Sequence, residues 1–180
     1  MIARLLIANR GEIAGRIART CRRMGIEYVT VHSEADAGAS YREGAVSSVC
    51  VGPTAASESY LSIERLLDAA TKTGCDAVHP GYGFLSENAA FAAAVVDAGI
   101  VFVGPDAQTI AAMGDKGQAK ALMTEAGVPV IPGSTEASDD PLRVVTMAKS
   151  VGLPALLKPA AGGGGKGMQV VTAWDGLSAA

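Results

Sequence analysis

Short apolar runs alternate with amphipathic runs over the first hundred or so residues, and this alternation limits the folds open to the chain more than any other feature. Residues 4–9 read as a buried strand. Gly11–Met24 reads as a helix, with Ile13, Ile17, Cys21 and Met24 at helical spacing and Gly25 as its C-cap. A strand is expected over 27–32, a polar turn over 33–40 leading to a short helix at 41–45, and a third strand over 48–51 closed by Gly52-Pro53. A second helix follows over 60–73, then a brief strand at 77–79 and the turn-rich loop 80–85. Ser86 is the expected N-cap of a helix over 87–98, and residues 100–103 form the last strand of the series. Strand and helix in turn, joined by short connections, predict an α/β fold with a Rossmann-like, doubly wound parallel sheet. The first turn, Asn9-Arg10-Gly11-Glu12-Ile13-Ala14-Gly15, lies where a dinucleotide fingerprint would. Its two glycines do not match G-x-G-x-x-G, so the sheet is read as Rossmann-like without a nicotinamide site.

The texture changes after Asp106. Short helices are expected over 109–113 and 115–126, an extended segment over 128–132, and a helix over 141–150 opened by Ser138 with Pro141 near its start. The boundary is placed between Pro105 and Lys116, giving domains of 1–110 and 111–180.

The second part is organised around LPALLKPAAGGGGKGMQVV, residues 153–171. An apolar strand ends in Lys158, four consecutive glycines follow, and Lys166 and Gly167 lead into a second apolar strand. Glycines without Cβ atoms let successive backbone N–H groups turn toward one anion. Alternation puts Lys158 on the same face as Leu156, within reach of α- and β-phosphates. The Walker pattern does not fit: Ala160 stands at its first glycine position and Gly167 replaces the Ser/Thr that would meet Mg²⁺. The segment therefore reads as a hairpin flap over a nucleoside triphosphate. The competing reading is a floppy surface linker, although linkers of that kind are usually Gly/Ser-rich and lack apolar strands on both sides.

Composition narrows the partners. The net charge of −3 over 180 residues gives no general nucleic-acid surface. No apolar run approaches the ~20 residues of a membrane span. Cys21, Cys50 and Cys75 are scattered, which fits a reducing compartment and a cytoplasmic location. His32 and His79 are the only histidines and neither neighbours a cysteine, so no metal site is expected.

Six strings, IANRGEIA (7–14), HPGYGFLSEN (79–88), FVGP (102–105), MGDK (113–116), AGVPVIPG (126–133) and KPAAGGGGKGM (158–168), together resemble biotin carboxylase in order and spacing. This is the ATP-grasp component of acetyl-, propionyl- and methylcrotonyl-CoA, pyruvate and urea carboxylases. The resemblance covers essentially the whole chain. It implies a biotin carboxylase N-terminal domain followed by the incomplete first part of an ATP-grasp domain. It also implies a ligase in which ATP phosphorylates bicarbonate to carboxyphosphate, which carboxylates biotin on a carrier protein, with Mg²⁺ or Mn²⁺ on the triphosphate. By position, Lys116 and Lys158 match the lysines that contact nucleotide phosphates. Gly163, Gly164, Gly165, Lys166 and Gly167 match the mobile flap. No residue is carried over as catalytic and none as a metal ligand. Residues 79–88 fall near the cleft or form a rigid structural loop. Taken alone, Lys116 would read as a surface charge and Lys158 as a snorkelling side chain.

Partners implied by the resemblance are a biotin carboxyl carrier protein or domain, a carboxyltransferase and a second copy of the chain. Three departures bear on this. The family's remaining ATP-grasp half, with its metal-binding and catalytic groups, has no counterpart before Ala180, so the chain is expected to be an N-terminal portion or fragment, inactive alone. Ala45-Val46-Ser47 replaces the family's Ala-Asp-Glu. Arg19 is retained, but Arg23 stands where a glutamate commonly pairs across the dimer, which weakens the homodimer expectation. A non-enzymatic assembly module and another ATP-grasp ligase of the carbamoyl-phosphate or purine-pathway kind are the competing readings.

Overall fold

The computed structural model describes residues 2–159 and 167–174. Strands β1 (Arg4–Ile7), β2 (Glu27–Ser33), β3 (Ser47–Gly52), β4 (Ala77–His79) and β5 (Val101–Phe102) form a parallel sheet in the order β3-β2-β1-β4-β5. Helices α1 (Gly11–Met24), α2 (Ile63–Lys72) and α3 (Ala89–Asp97) connect them. The pleat sends alternate residues of β1 to opposite faces. Leu5 and Ile7 join Ala14, Ile17, Ala18 and Cys21 of α1 in one core. Leu6 and Ala8 join Val29, Val31 and Val78 with Leu66 of α2 and Phe91 and Val95 of α3 in the other. The sheet is therefore covered on both faces, the doubly wound arrangement that the alternation predicts.

Tertiary contacts shift several helix starts from their expected places. Asn88, not Ser86, caps α3, its Oδ1 accepting the Phe91 N–H at 2.8 Å. Ser86 still belongs to the preceding turn, where its N–H donates to the Gly83 carbonyl. The second helix begins at Ile63 rather than residue 60, because Tyr60 is fully buried and Ser62 is the cap. Residues 41–45 hold no α-helix; a single 3₁₀ turn, Ser40–Arg42, stands there with Tyr41 buried.

The contacts divide the chain into two compact units, Met1–Ala111 and Ala112–Ala180; α4 (Ala107–Gly114) runs through the division. The second unit contains α5 (Lys116–Glu125), α6 (Pro141–Val151) and an antiparallel pair, β6 (Ala155–Leu157) with β7 (Gln169–Val171). Asp140, not Ser138, caps α6: its Oδ1 accepts from the Leu142 N–H, whereas Ser138 Oγ accepts from the N–H of Asp140 itself. Among the described residues its core holds Ala148, Ala155 and Val171, flanked by Val145, Leu153 and Leu157. Ile131, Leu142 and Val170 stay 86%, 78% and 69% exposed. Among the described residues no helix is long and apolar enough to cross a membrane.

Candidate functional site

The β6–β7 pair places two of the expected phosphate contacts at one end of a hairpin. Its register sets Ala155 opposite Val171, Leu156 opposite Val170 and Leu157 opposite Gln169. Ala155 and Val171 turn inward, while Leu156 and Val170 face out. Lys158 follows β6 directly and is exposed, as Leu156 is. Gly167 precedes β7 with φ +73°, and a Cβ there would stand 2.9 Å from Pro159 Cγ. Any L side chain would meet both backbone strain and a clash, so glycine is needed beside the residue that follows Lys158. Gly163, Gly164, Gly165 and Lys166 lie outside the described residues.

Lys116 is the first residue of α5, exposed, directly after the N-cap Asp115, whose Oδ1 accepts the Gln118 N–H at 2.8 Å. The start of this helix is anchored by the 133–135 segment: Gly117 packs on the Thr135 carbonyl and Lys120 Nζ donates to the Gly133 carbonyl at 2.6 Å. Exposed cations after a strand and at a helix N-terminus, together with a glycine turn, fit the charge of a polyphosphate. The described residues supply no matching cation cage, since no three His, Cys, Asp or Glu side chains among them cluster closely enough to hold a metal ion.

In the first unit, β1 and β4 are neighbours at the point where strand order reverses, and open α/β sheets commonly take ligands outside the carboxyl ends of such strands. Here the 80–85 loop is stitched across it. Asn9, fully buried after β1, donates from Nδ2 to the carbonyls of Pro80 (2.7 Å) and Tyr82 (3.0 Å). The Gly81 N–H donates to His79 Nδ1 at 2.9 Å, and the Tyr82 hydroxyl donates to Glu12 at 2.6 Å. Phe84 stacks on Tyr60 with ring centroids 5.1 Å apart. Tyr60 in turn donates to Asp36 and accepts the Ser33 N–H, and Arg10 pairs with Asp36 at 3.0 Å while lying over the Tyr60 ring. The Tyr41 hydroxyl donates to the Val31 carbonyl, and burial, aided by Tyr60, pushes its pKa far up, so it stays protonated. Asn9, Arg10, Asp36, Tyr41 and Tyr60 escape sequence reasoning because their partners lie far along the chain. Asn9 alone leaves a signal, as a polar residue that ends the apolar run Leu5-Leu6-Ile7-Ala8.

Both histidines are held neutral. Burial lowers the pKa of His79, and the positive charge of Arg16 lowers it further. Burial and then Arg42 lower that of His32, with Asp36 opposing. A depressed folded pKa means that the unfolded chain binds more protons as pH falls through its ordinary histidine value of about 6.5, so this stability is present above that value and lost below it. The melting temperature is expected to fall between pH 7.5 and 5.5, and the fall should be shallower in the His32→Gln/His79→Gln double variant. An equal fall in both proteins would remove the histidines as its cause.

Comparison with known proteins decides the family. The biotin carboxylase N-terminal domain family matches residues 1–110, and the ATP-binding domain family of the carbamoyl-phosphate synthase L chain matches residues 115–180. The chain belongs to the biotin carboxylase family. Biotin carboxylase 1 of Bacillus subtilis (strain 168) is 49% identical over 170 residues, covering 94% of this chain and 38% of that protein. The human mitochondrial propionyl-CoA carboxylase alpha chain is 48% identical over 172 residues, covering 96% of this chain and 23% of that one. Among solved biotin carboxylases, the β,γ-ATP complex from Campylobacter jejuni has a TM-score of 0.92 at 47% identity, covering 98% of this chain and 40% of that one. The domain of the Hydrogenobacter thermophilus 2-oxoglutarate carboxylase, a dimer solved with MgADP, ADP and bicarbonate, also scores 0.92, at 40% identity, covering 99% of this chain and 39% of that one. The chain thus spans less than half the length of each of these relatives.

Proposed function

We propose that this chain supplies the phosphate-gripping part of an ATP- and bicarbonate-dependent biotin carboxylase. The observation that carries this reading is the hairpin end, where Lys158 and the glycine-requiring turn at Gly167 stand on either side of the glycine run, with Lys116 at the start of α5. Lys116 and Lys158 orient the phosphates and offset charge that develops on them. The bound nucleotide supplies the phosphoryl group that activates bicarbonate. A biotinylated carrier protein or domain and a carboxyltransferase are the partners of this reading, with a homodimer as in the Hydrogenobacter domain. Its compartment is the cytoplasm, supported by three free thiols.

The test is equilibrium binding of MgATP to the chain. Each of Lys116→Ala and Lys158→Ala is expected to weaken binding about tenfold, the worth of one charge-assisted hydrogen bond. Absence of MgATP binding, or affinities unmoved in both variants, would replace this reading with an assembly module. The exposed Ile131, Leu142 and Val170 of the second unit favour that alternative.

A further inference from the structure

We propose that His79 is an acid-released latch on the first half of the 80–85 loop, which it holds only while its Nδ1 carries no proton. The Gly81 N–H donates to this nitrogen at 2.9 Å. A peptide N–H is a donor that cannot turn round, so Nδ1 must be the acceptor and the ring proton must sit on Nε2. A protonated ring is a donor at both nitrogens, and turning it over brings no acceptor to the loop. One proton therefore replaces the hydrogen bond by two N–H groups that face each other.

The bond to Gly81 is the middle one of three. Asn9 Nδ2 donates to the Pro80 carbonyl at 2.7 Å and to the Tyr82 carbonyl at 3.0 Å, one on each side of it. Gly81 has little slack between them: its φ is +71°, and a Cβ there would stand 2.8 Å from Asn9 Nδ2. Displacing the Gly81 N–H thus pulls on both carbonyls that Asn9 holds. The Tyr82 hydroxyl, which donates to Glu12 at 2.6 Å, moves with the same backbone. Beyond it, buried Leu85 and the bond from the Asn88 N–H to its carbonyl keep the far half of the loop in place. The part released is 80–82.

The surroundings set the direction of the switch. Ala77 packs in the core beneath α1, and alternation puts His79 on that same face of β4. From α1, Arg16 bears on the ring and, after burial, opposes a positive charge there. Glu12 of the same helix is engaged by the Tyr82 hydroxyl, a bond that raises the pKa of Tyr82 and keeps its proton in place. On the neighbouring strands, β1 sets Ile7 beside His79 and is followed by neutral Asn9, and β5, Val101–Phe102, carries no charge. The ring binds a proton more readily once 80–82 has swung away. The latch is therefore closed above the ordinary histidine value of about 6.5 and opens as pH falls below it. Residues 80–82 lie at the carboxyl ends of β1 and β4, so their release uncovers the crevice where strand order reverses. The device is complete within the first unit and does not rest on the phosphate reading of the second.

Nitrogen NMR of the isotope-labelled full chain reads the latch in two ways. At neutral pH, Nδ1 of His79 is expected to resonate as an unprotonated ring nitrogen and Nε2 as a protonated one. Protection of the Gly81 amide against hydrogen exchange, corrected for the intrinsic rate at each pH, should fall by up to about tenfold per pH unit below about 6.5. Protection of the Val103 N–H, which donates to the Val78 carbonyl in the sheet, should fall less. His79→Asn sets an amide oxygen near the place of Nδ1 and does not titrate, so it should keep the protection of Gly81 and lose its pH dependence. Glu12→Gln should keep that dependence. The proposal is overturned if Nδ1 carries the proton at neutral pH, or if Gly81 protection is flat with pH or falls in step with that of Val103. It is equally overturned if His79→Asn titrates as the wild type does, or if Glu12→Gln abolishes the dependence. The ring signals and the wild-type exchange need no variant, so the outcome stands even where His79→Asn fails to fold.

Discussion

Phe91→Ala is expected to lower the free energy of unfolding by about 3–5 kcal/mol, a large part of the roughly 5–15 kcal/mol that holds a typical domain together. Phe91 is completely buried in the first turn of α3. Its ring meets Phe102 of β5 edge to face, centroids 5.9 Å apart and planes at 89°. Removing it empties the contact between α3 and the two-residue edge strand β5, where few other groups can move in to fill the space. Phe91→Leu, which keeps most of the volume, should lose a smaller amount. Urea unfolding followed by far-UV circular dichroism reads both. A loss below about 1 kcal/mol for the alanine variant would show that this side of the sheet is not a packed core.

Gly81→Val should cost about 2–5 kcal/mol, from two sources. Gly81 has φ +71°, where a residue with a Cβ is strained by about 1–2 kcal/mol and a β-branched one by more. A Cβ there would also stand 2.7 Å from Ile13 Cγ2 and 2.8 Å from Asn9 Nδ2, adding an overpacking cost of roughly 1–3 kcal/mol. The valine would push against the very Asn9 amide that holds the Pro80 and Tyr82 carbonyls. Thermal unfolding measures the loss, and faster exchange of the Gly81 amide, now bonded to His79, locates it. Gly81→Ala should lie between wild type and valine. A valine variant within 1 kcal/mol of wild type would mean that the loop is not clamped as described.

The first unit was largely legible before any coordinates. Leu5-Leu6-Ile7 reads as a strand buried on both faces, and the 3.6-residue spacing of Ile17 and Cys21 reads as the buried stripe of α1, because both patterns follow directly from backbone geometry. Cap positions were less legible. Ser86 and Asn88 are both good caps, and the choice rests on the turn around the buried Leu85, a contact of the folded state. The stitching of the 80–85 loop was illegible for a related reason: Asn9 meets Pro80 and Tyr82 across 71 and 73 positions, and no local pattern encodes that meeting. Lys158 and Gly167 stood out because a glycine run between lysines is unusual composition in itself. Lys116 stood out only through the MGDK string, since a lysine opening a helix is otherwise unremarkable.

The central place of β1 has a consequence for how the chain is made. One of its edges is completed by β2, which ends at Ser33, but the other waits for β4, which begins at Ala77. At a synthesis rate of about 5–20 residues per second, several seconds pass between the two events. Throughout that interval Arg4–Ile7 presents a free row of backbone donors and acceptors beside apolar side chains, the template on which nascent chains pair wrongly with one another. Until β4 has been made, the sheet cannot close on both sides of β1.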